Sequence, residues 1–331
     1  MRPHIFVVQP TMPEAVAVLK RVGKVEIFDR ERMISRPELR DALQRADYVF
    51  TLGDTPIDAE LIESAPKLKG IAAMAMGVTG VIDVDAATRR KIPVTRIPHY
   101  IGTTTADLTM ALILGITWRL VEADRFTRSG RFHQEQSMTF LATSLPGKTA
   151  GLIGLGQIGA QLATRLRAFE LDVIYTKRNR LGRDEERELG VTYVADMDDL
   201  IKRSDYVIIA ASYNPSTHLL FQERHFRLMK PSAYFINTGR GRIVEEPALV
   251  KALQKRWIAG AGLDVYWFEP PVSEPNPPRE LFELTNVILT PHIGSATYES
   301  RRKMSVRNAE NIVTMVRGER PDDILNPEIY D

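Results

Sequence analysis

Several things are missing from this chain, and each absence removes a class of explanation. Its 331 residues include no cysteine, which excludes disulfides and thiolate metal ligands, and no metal site is expected. Charge of one sign is scarce as well. Lys and Arg number 44 against 42 Asp and Glu, a net charge of +2, and the two signs are interspersed. No basic arm or stripe of the kind that follows nucleic acid results, so no nucleic-acid partner is expected. Long apolar runs are also lacking. The opening MRPHIFVVQP is too short a run for a signal peptide, and the most apolar later stretch, 110–116, lies between Asp107 and Arg119, well short of a membrane span. A soluble cytoplasmic protein with no membrane partner is expected.

What is present is an apolar fraction of 44%, enough for a substantial core and two domains at this length. One stretch organises the rest. Residues 148–180, KTAGLIGLGQIGAQLATRLRAFELDVIYTKRNR, read as an apolar strand (150–153), a glycine turn, a helix and a second apolar strand (173–175). Gly154 permits the tight turn, Gly156 lets backbone approach a pyrophosphate, and Gly159 lets the helix pack closely on the strand. The helix opens at Gln157 and Ile158, so its free N–H groups and positive dipole end face the phosphates. The complete βαβ setting predicts dinucleotide binding.

A further absence selects the dinucleotide. NAD sites place Asp or Glu at the end of the second strand, about 20 residues into the motif, to hold the ribose 2′-hydroxyl. Here Tyr175 is followed by Thr176, Lys177, Arg178, Asn179 and Arg180. A carboxylate would repel a 2′-phosphate, whereas guanidinium groups bind one bidentately, so NADP(H) is favoured over NAD(H).

Strand and helix patterns alternate on both sides of this unit, which predicts an α/β protein with parallel sheets. Strands are expected at 5–8, 25–28, 48–52, 70–74 and 94–96, with helices at 13–22, 36–45, 58–64 and 84–90 between them. A single long helix is expected over 103–128. The segment 129–146, with Phe132, Met138 and Phe140, reads as a loop excursion or an arm gripping a second subunit. Further strands are expected at 206–210, 233–237, 260–263 and 287–290, and a final long helix over 297–317.

Ligands of open parallel sheets bind beyond the carboxyl ends of strands. Strand 233–237 runs into Thr238-Gly239-Arg240-Gly241-Arg242, strand 260–263 into Asp264 and Glu269, and strand 287–290 into Pro291-His292. An arginine, a carboxylate and a histidine are therefore predicted to converge. INTGRGRIVEEPAL, AGLDVYWFEP and TPHIGSAT, taken with GLIGLGQIG, resemble the signature set of the D-isomer-specific 2-hydroxyacid dehydrogenases, nearest their glyoxylate and hydroxypyruvate reductase branch.

That resemblance implies two doubly wound parallel-sheet domains, a Rossmann cofactor domain (102–292) inserted into a flavodoxin-like substrate domain (1–101 and 293–331), and a homodimer. It implies NAD(P)H-dependent reduction of a small 2-oxoacid to the D-2-hydroxyacid. Arg240 would hold the substrate carboxylate or polarise its carbonyl, His292 would protonate the C2 oxygen, and Glu269 would hydrogen-bond the other ring nitrogen and stabilise the imidazolium. Asp264 would contact the nicotinamide end or fix local backbone. Ala211, Ser212, Thr238, Gly239 and Gly294 are expected as further cofactor contacts. Met76, Gly77 and Val78 are expected to meet the substrate, although the family pattern there, Gly-x-Gly with an aromatic and Asp-Asn, is not matched. Arg242 is read as a surface residue. An anion dehydrogenase of the phosphite type and a non-catalytic dinucleotide sensor are the alternative readings on the same fold.

Overall fold

The computed structural model describes residues 2–75, 77–78, 80–97, 102–133, 138–269 and 277–331, which fall into two compact units. The first, Met1–Tyr100 with Ala296–Asp331, begins with β1 (His4–Val7), α1 (Pro13–Val22), β2 (Lys24–Ile27), α2 (Arg36–Arg45), β3 (Tyr48–Leu52), α3 (Ala59–Glu63), β4 (Gly70–Met74), α4 (Val84–Arg89) and β5 (Val94–Thr95). Its helices start where local chemistry satisfies their free N–H groups. Pro13 opens α1, Ser35 and Glu38 form a capping box on α2, and the Asp58 and Asp83 carboxylates accept from Leu61 N and Ala86 N. The strands pair in parallel in the order β2-β1-β3-β4-β5, a doubly wound order of the flavodoxin type. β4 is buried at every position, as its unbroken apolar GIAAM requires for a strand covered on both faces.

The second unit, Ile101–Ser295, opens with α5 (Gly102–Thr117) and α6 (Leu120–Arg128). The single helix expected over 103–128 is thus two helices, bent by 61°. Arg119 at the break takes a left-handed conformation (φ 51°), and its guanidinium pairs with Glu122 in the new first turn. The two pieces also differ in environment: α5 is mostly buried, whereas α6 buries no residue. Among the described residues, no single helix is long and apolar enough to cross a membrane.

β6 (Thr149–Ile153), α7 (Gln157–Ala168), β7 (Asp172–Thr176), α8 (Arg183–Leu189), β8 (Val191–Tyr193), α9 (Met197–Arg203), β9 (Tyr206–Ile209), α10 (Glu223–Leu228), β10 (Tyr234–Asn237), α11 (Glu246–Gln254), β11 (Gly260–Leu263) and β12 (Val287–Leu289) follow. The seven strands are parallel, ordered β12-β11-β10-β9-β6-β7-β8, with apolar clusters on both faces. The order reverses between β6 and β9. That switch point is where an open α/β sheet leaves a crevice.

α12 (Tyr298–Val316) returns to the first unit. The Asn308 amide donates to Ala72 O of β4 at 3.0 Å, and the Tyr48 hydroxyl donates to Met315 O at 3.4 Å. The Asn326 side chain accepts from Val94 N and donates to Ile92 O, both at 2.9 Å, closing the edge at β5.

Candidate active site

The glycine turn has the form its three positions require. Gly154 has φ +95°, and an added Cβ would stand 2.6 Å from Ala211 N, so only glycine passes there. At Gly159 a Cβ would press on Leu155 Cδ1 at 3.0 Å, the tight approach of α7 to its strand. Gly156 differs, since a Cβ there would meet no atom of the described residues within 4 Å. Its backbone is bare, at the start of a helix of 12 residues with its free N–H groups turned outward.

Beyond it lies a cleft of about 510 Å³, lined by Ile153 to Gly156, Thr176 to Asn179, Met197, Ala210 to Ser212, Asn214, Ser216, Thr217 and Leu220. Apolar walls, bare backbone and a rim of hydroxyls and cations suit a dinucleotide. Of the residues expected from sequence to bind cofactor, Gly154, Gly156, Thr176, Lys177, Arg178, Ala211 and Ser212 line this cleft. Lys177 Nζ donates to Leu155 O at 2.9 Å, and the Arg178 guanidinium donates to the Ser216 hydroxyl. Ser216 in turn donates to Asn214 Oδ1 at 2.6 Å.

Arg180 is placed otherwise. It makes two bonds to the Glu186 carboxylate, 2.8 and 2.7 Å, and its guanidinium lies 5.1 Å from the Tyr193 ring centre. Bonds from Arg180 first and Tyr175 second hold the Glu186 carboxyl down at about 2. Burial, and then the Glu186 bond, push the Tyr175 phenol up to about 12.

The second cluster stands at the ends of β10, β11 and β12. His292 Nδ1 lies 2.7 Å from Glu269 Oε2, and Glu269 Oε1 accepts from Tyr266 N at 2.8 Å. His292 has φ 52°, a left-handed conformation that is sparsely populated outside glycine. Asp264 explains how it is held. Its buried carboxylate accepts from Thr290 Oγ1 (2.6 Å), Ile293 N (2.8 Å) and Gly294 N (2.9 Å), gripping the chain on both sides of the histidine. The Tyr266 hydroxyl adds a bond to Thr290 O at 2.8 Å. Burial raises the Asp264 pKa despite these donors. Arg240 follows β10, the strand on the other side of β11 from β12. Its exposed side chain donates to Gly239 O at 2.7 Å, and the buried Asn237 side chain spans the turn by accepting from Gly239 N and donating to Arg240 O. A cation and an acid-paired imidazole thus stand on one sheet edge, a set able to bind a carboxylate and deliver a proton.

A model of the D-isomer specific 2-hydroxyacid dehydrogenase NAD binding domain matches residues 110–294. The glyoxylate reductase of Thermococcus litoralis is 39% identical over 99% of this chain and 98% of its own length. The chain belongs to the D-isomer specific 2-hydroxyacid dehydrogenase family. Among solved structures, a D-isomer specific 2-hydroxyacid dehydrogenase described as putative, from Polaromonas, superposes with a TM-score of 0.90 at 31% identity, covering 98% of this chain and 100% of that one. The NADPH-dependent glyoxylate/hydroxypyruvate reductase of Sinorhizobium meliloti, solved with NADP and malonate, gives 0.82 at 29% identity, covering 99% and 98%. This dehydrogenase is accordingly an NAD(P)-dependent enzyme acting on 2-hydroxyacids or 2-oxoacids.

The remaining expected residues of the dehydrogenase are placed as follows. Gln157, Ile158 and Gly159 form the first turn of α7. Thr238 is buried, with its hydroxyl 2.9 Å from that of Thr109, and Gly239 packs near Ala211 O. Gly77 and Val78 follow β4 at the carboxyl edge of the first sheet, whereas Met76 lies outside the described residues. Sequence reading missed the rim residues Asn214, Ser216 and Thr217, and it missed Tyr266 and Thr290, which fix the histidine turn. Arg242 is exposed, as expected, but its Nε donates to Trp267 O at 3.3 Å.

Proposed function

We propose that this dehydrogenase reduces a small 2-oxoacid of the glyoxylate or hydroxypyruvate kind to the D-2-hydroxyacid in the cytoplasm, with NADPH preferred over NADH. The observation that carries the reading is the pair formed by Glu269 and His292 at 2.7 Å, beyond β11 and β12. With Nδ1 directed at Glu269, the ring leaves Nε2 to protonate the C2 oxygen, and Glu269 offsets the charge that the ring carries while protonated. Arg240 holds the acid's carboxylate or polarises its carbonyl. When bound, the reduced nicotinamide supplies the hydride to C2. Support for NADPH comes from Arg178 and its hydroxyl neighbours on the cleft rim, with Lys177, Arg178 and Asn179 in place of a carboxylate directly after β7. Relatives that carry the names glyoxylate reductase and NADPH-dependent glyoxylate/hydroxypyruvate reductase support the substrate class.

NADPH consumption against a panel of 2-oxoacids tests the reading. Turnover with glyoxylate or hydroxypyruvate is expected. Tight NADPH binding without turnover of any acid would indicate a sensor instead. Replacing His292 with Asn should lower kcat by roughly 10²- to 10⁴-fold and spare NADPH affinity; a variant with wild-type kcat refutes the assigned role.

We also propose a homodimer. Trp118, Leu120 and Phe282 are 58%, 61% and 54% exposed, at or beside a groove of about 270 Å³ whose lining mixes Ile116, Val121 and Leu284 with Arg119, Glu122 and Arg125. A second copy covering this face would bury them. Light scattering should report two chains for the wild type and one for Leu120→Asp; a variant that keeps the mass of two chains removes this face from consideration.

A further inference from the structure

The Glu269 carboxylate is only as well placed as the turn beneath it. Residues 264–269 leave β11 as irregular chain, outside any strand or helix. The backbone of Trp267 within that turn is held at its N–H and at its carbonyl by one neighbouring segment. Its N–H donates to Glu246 Oε1 at 3.1 Å, and its carbonyl accepts from Arg242 Nε at 3.3 Å. The adjacent N–H, that of Tyr266, is the donor to Glu269 Oε1 at 2.8 Å. Two consecutive residues, Tyr266 and Trp267, therefore link Glu246 and Arg242 to the carboxylate that faces His292.

The gripping segment is itself immobilised. At Gly241 an added Cβ would stand 1.8 Å from Tyr266 O and 2.6 Å from Trp267 N, so the two backbones lie in direct contact. On its other side, Leu219 N donates to Arg242 O, Phe221 N to Ile243 O and Glu245 N to Phe221 O, at 2.9–3.0 Å. The Trp267 indole packs against His218, ring centres 5.8 Å apart.

We propose that Glu246 and Arg242 are positioning residues for Glu269, fixing the 266–269 turn so that the carboxylate meets His292 Nδ1. The role of Glu246 is that of a hydrogen-bond acceptor. A second negative charge beside Glu269 confers nothing on this geometry, so a neutral acceptor of the same length serves equally. The inference rests on the reading of Glu269 and His292 as the proton-delivering pair.

The test compares wild type, Glu246→Ala, Glu246→Gln, Arg242→Ala, Glu269→Gln and the double variant Glu246→Ala/Glu269→Gln in NADPH-dependent glyoxylate reduction. NADPH affinity is measured separately by fluorescence. Misplacement of a reacting group by an ångström costs up to about 100-fold, so Glu246→Ala should lower kcat by roughly 10- to 100-fold with NADPH affinity unchanged. Arg242→Ala, at an exposed position, should act in the same direction, and Glu246→Gln should stay within about threefold of wild type. Because both act through Glu269, the double variant should be no slower than Glu269→Gln alone. Wild-type kcat in Glu246→Ala and Arg242→Ala while Glu269→Gln is slow overturns the clamp and leaves the pair standing. So does a Gln variant as slow as the Ala variant, or full additivity in the double variant. A fast Glu269→Gln removes the pair itself, and the clamp with it.

Discussion

Replacing Arg178 with alanine should reduce the proposed preference for NADPH over NADH, by an amount that follows from the strength of one charged hydrogen bond. Arg178 lines the cleft, where its guanidinium is steadied by the Ser216 hydroxyl. A hydrogen bond to a charged partner contributes about 1.5–3 kcal/mol, and about 1.4 kcal/mol is tenfold. Loss of one such bond would shift the ratio of kcat/KM values by roughly 10- to 150-fold. Arg178 is exposed, however, and solvent and salt weaken exposed charge pairs, which places the expected change near the lower end, about tenfold. NADH is the internal control, because its 2′-hydroxyl presents no charge to lose. Arg180 is the structural control. It already makes two bonds to Glu186, so Arg180→Ala should change the ratio by less than about threefold. Steady-state kinetics of all three proteins with both cofactors decide the matter. An unchanged ratio in Arg178→Ala, or equal shifts in the two variants, refutes the assignment.

Three further substitutions separate folding from binding and fix a pH dependence. Gly154→Ala must hold alanine at φ +95° with its Cβ 2.6 Å from Ala211 N, so its urea midpoint should fall clearly, a left-handed non-glycine residue alone costing about 1–3 kcal/mol. Gly156→Ala has room for its Cβ in the free protein and should unfold like wild type, yet bind NADPH at least about tenfold more weakly because the methyl blocks backbone approach to the pyrophosphate; wild-type affinity would contradict this. The Glu186 carboxyl is held at about 2 in the folded protein, below its ordinary 4.5. A depressed carboxyl stabilises the fold above its ordinary pKa, and that contribution fades as pH falls from about 4.5 toward 2. Glu186→Gln should therefore be less stable than wild type at pH 7 and progressively closer to it in acid; a gap that does not narrow rejects the pairing.

Much of this was legible in the sequence because its signals are local. β3, β4 and β11 coincide with the ranges expected as strands, and α1 and α2 with the ranges expected as helices. What escaped depends on partners distant in sequence or on backbone alone. No glycine or proline marks the break between α5 and α6, where Arg119 turns left-handed between a buried helix and an exposed one. Three cations after β7 looked equivalent until the fold brought Glu186 to Arg180 and Ser216 to Arg178. Arg242 looked like solvent-facing charge because its partner is a carbonyl, which no side-chain pattern reveals. The histidine and its carboxylate were marked by motif and position, while the Asp264 grip on the residues flanking His292 is made mostly with backbone N–H groups.

The first unit takes its last helix from the far end of the chain. Tyr48, Ala72 and Val94 find hydrogen-bond partners at Met315, Asn308 and Asn326, residues that a ribosome delivers 267, 236 and 232 positions later. Synthesis ordinarily lets the N-terminal domain fold first. Here the interior unit has all its parts while the opening hundred residues still wait for the helix that packs on β3 and β4 beside α1. Until α12 is in place, the apolar surface of β3 and β4 that it covers stays exposed, the kind of surface on which incomplete chains aggregate.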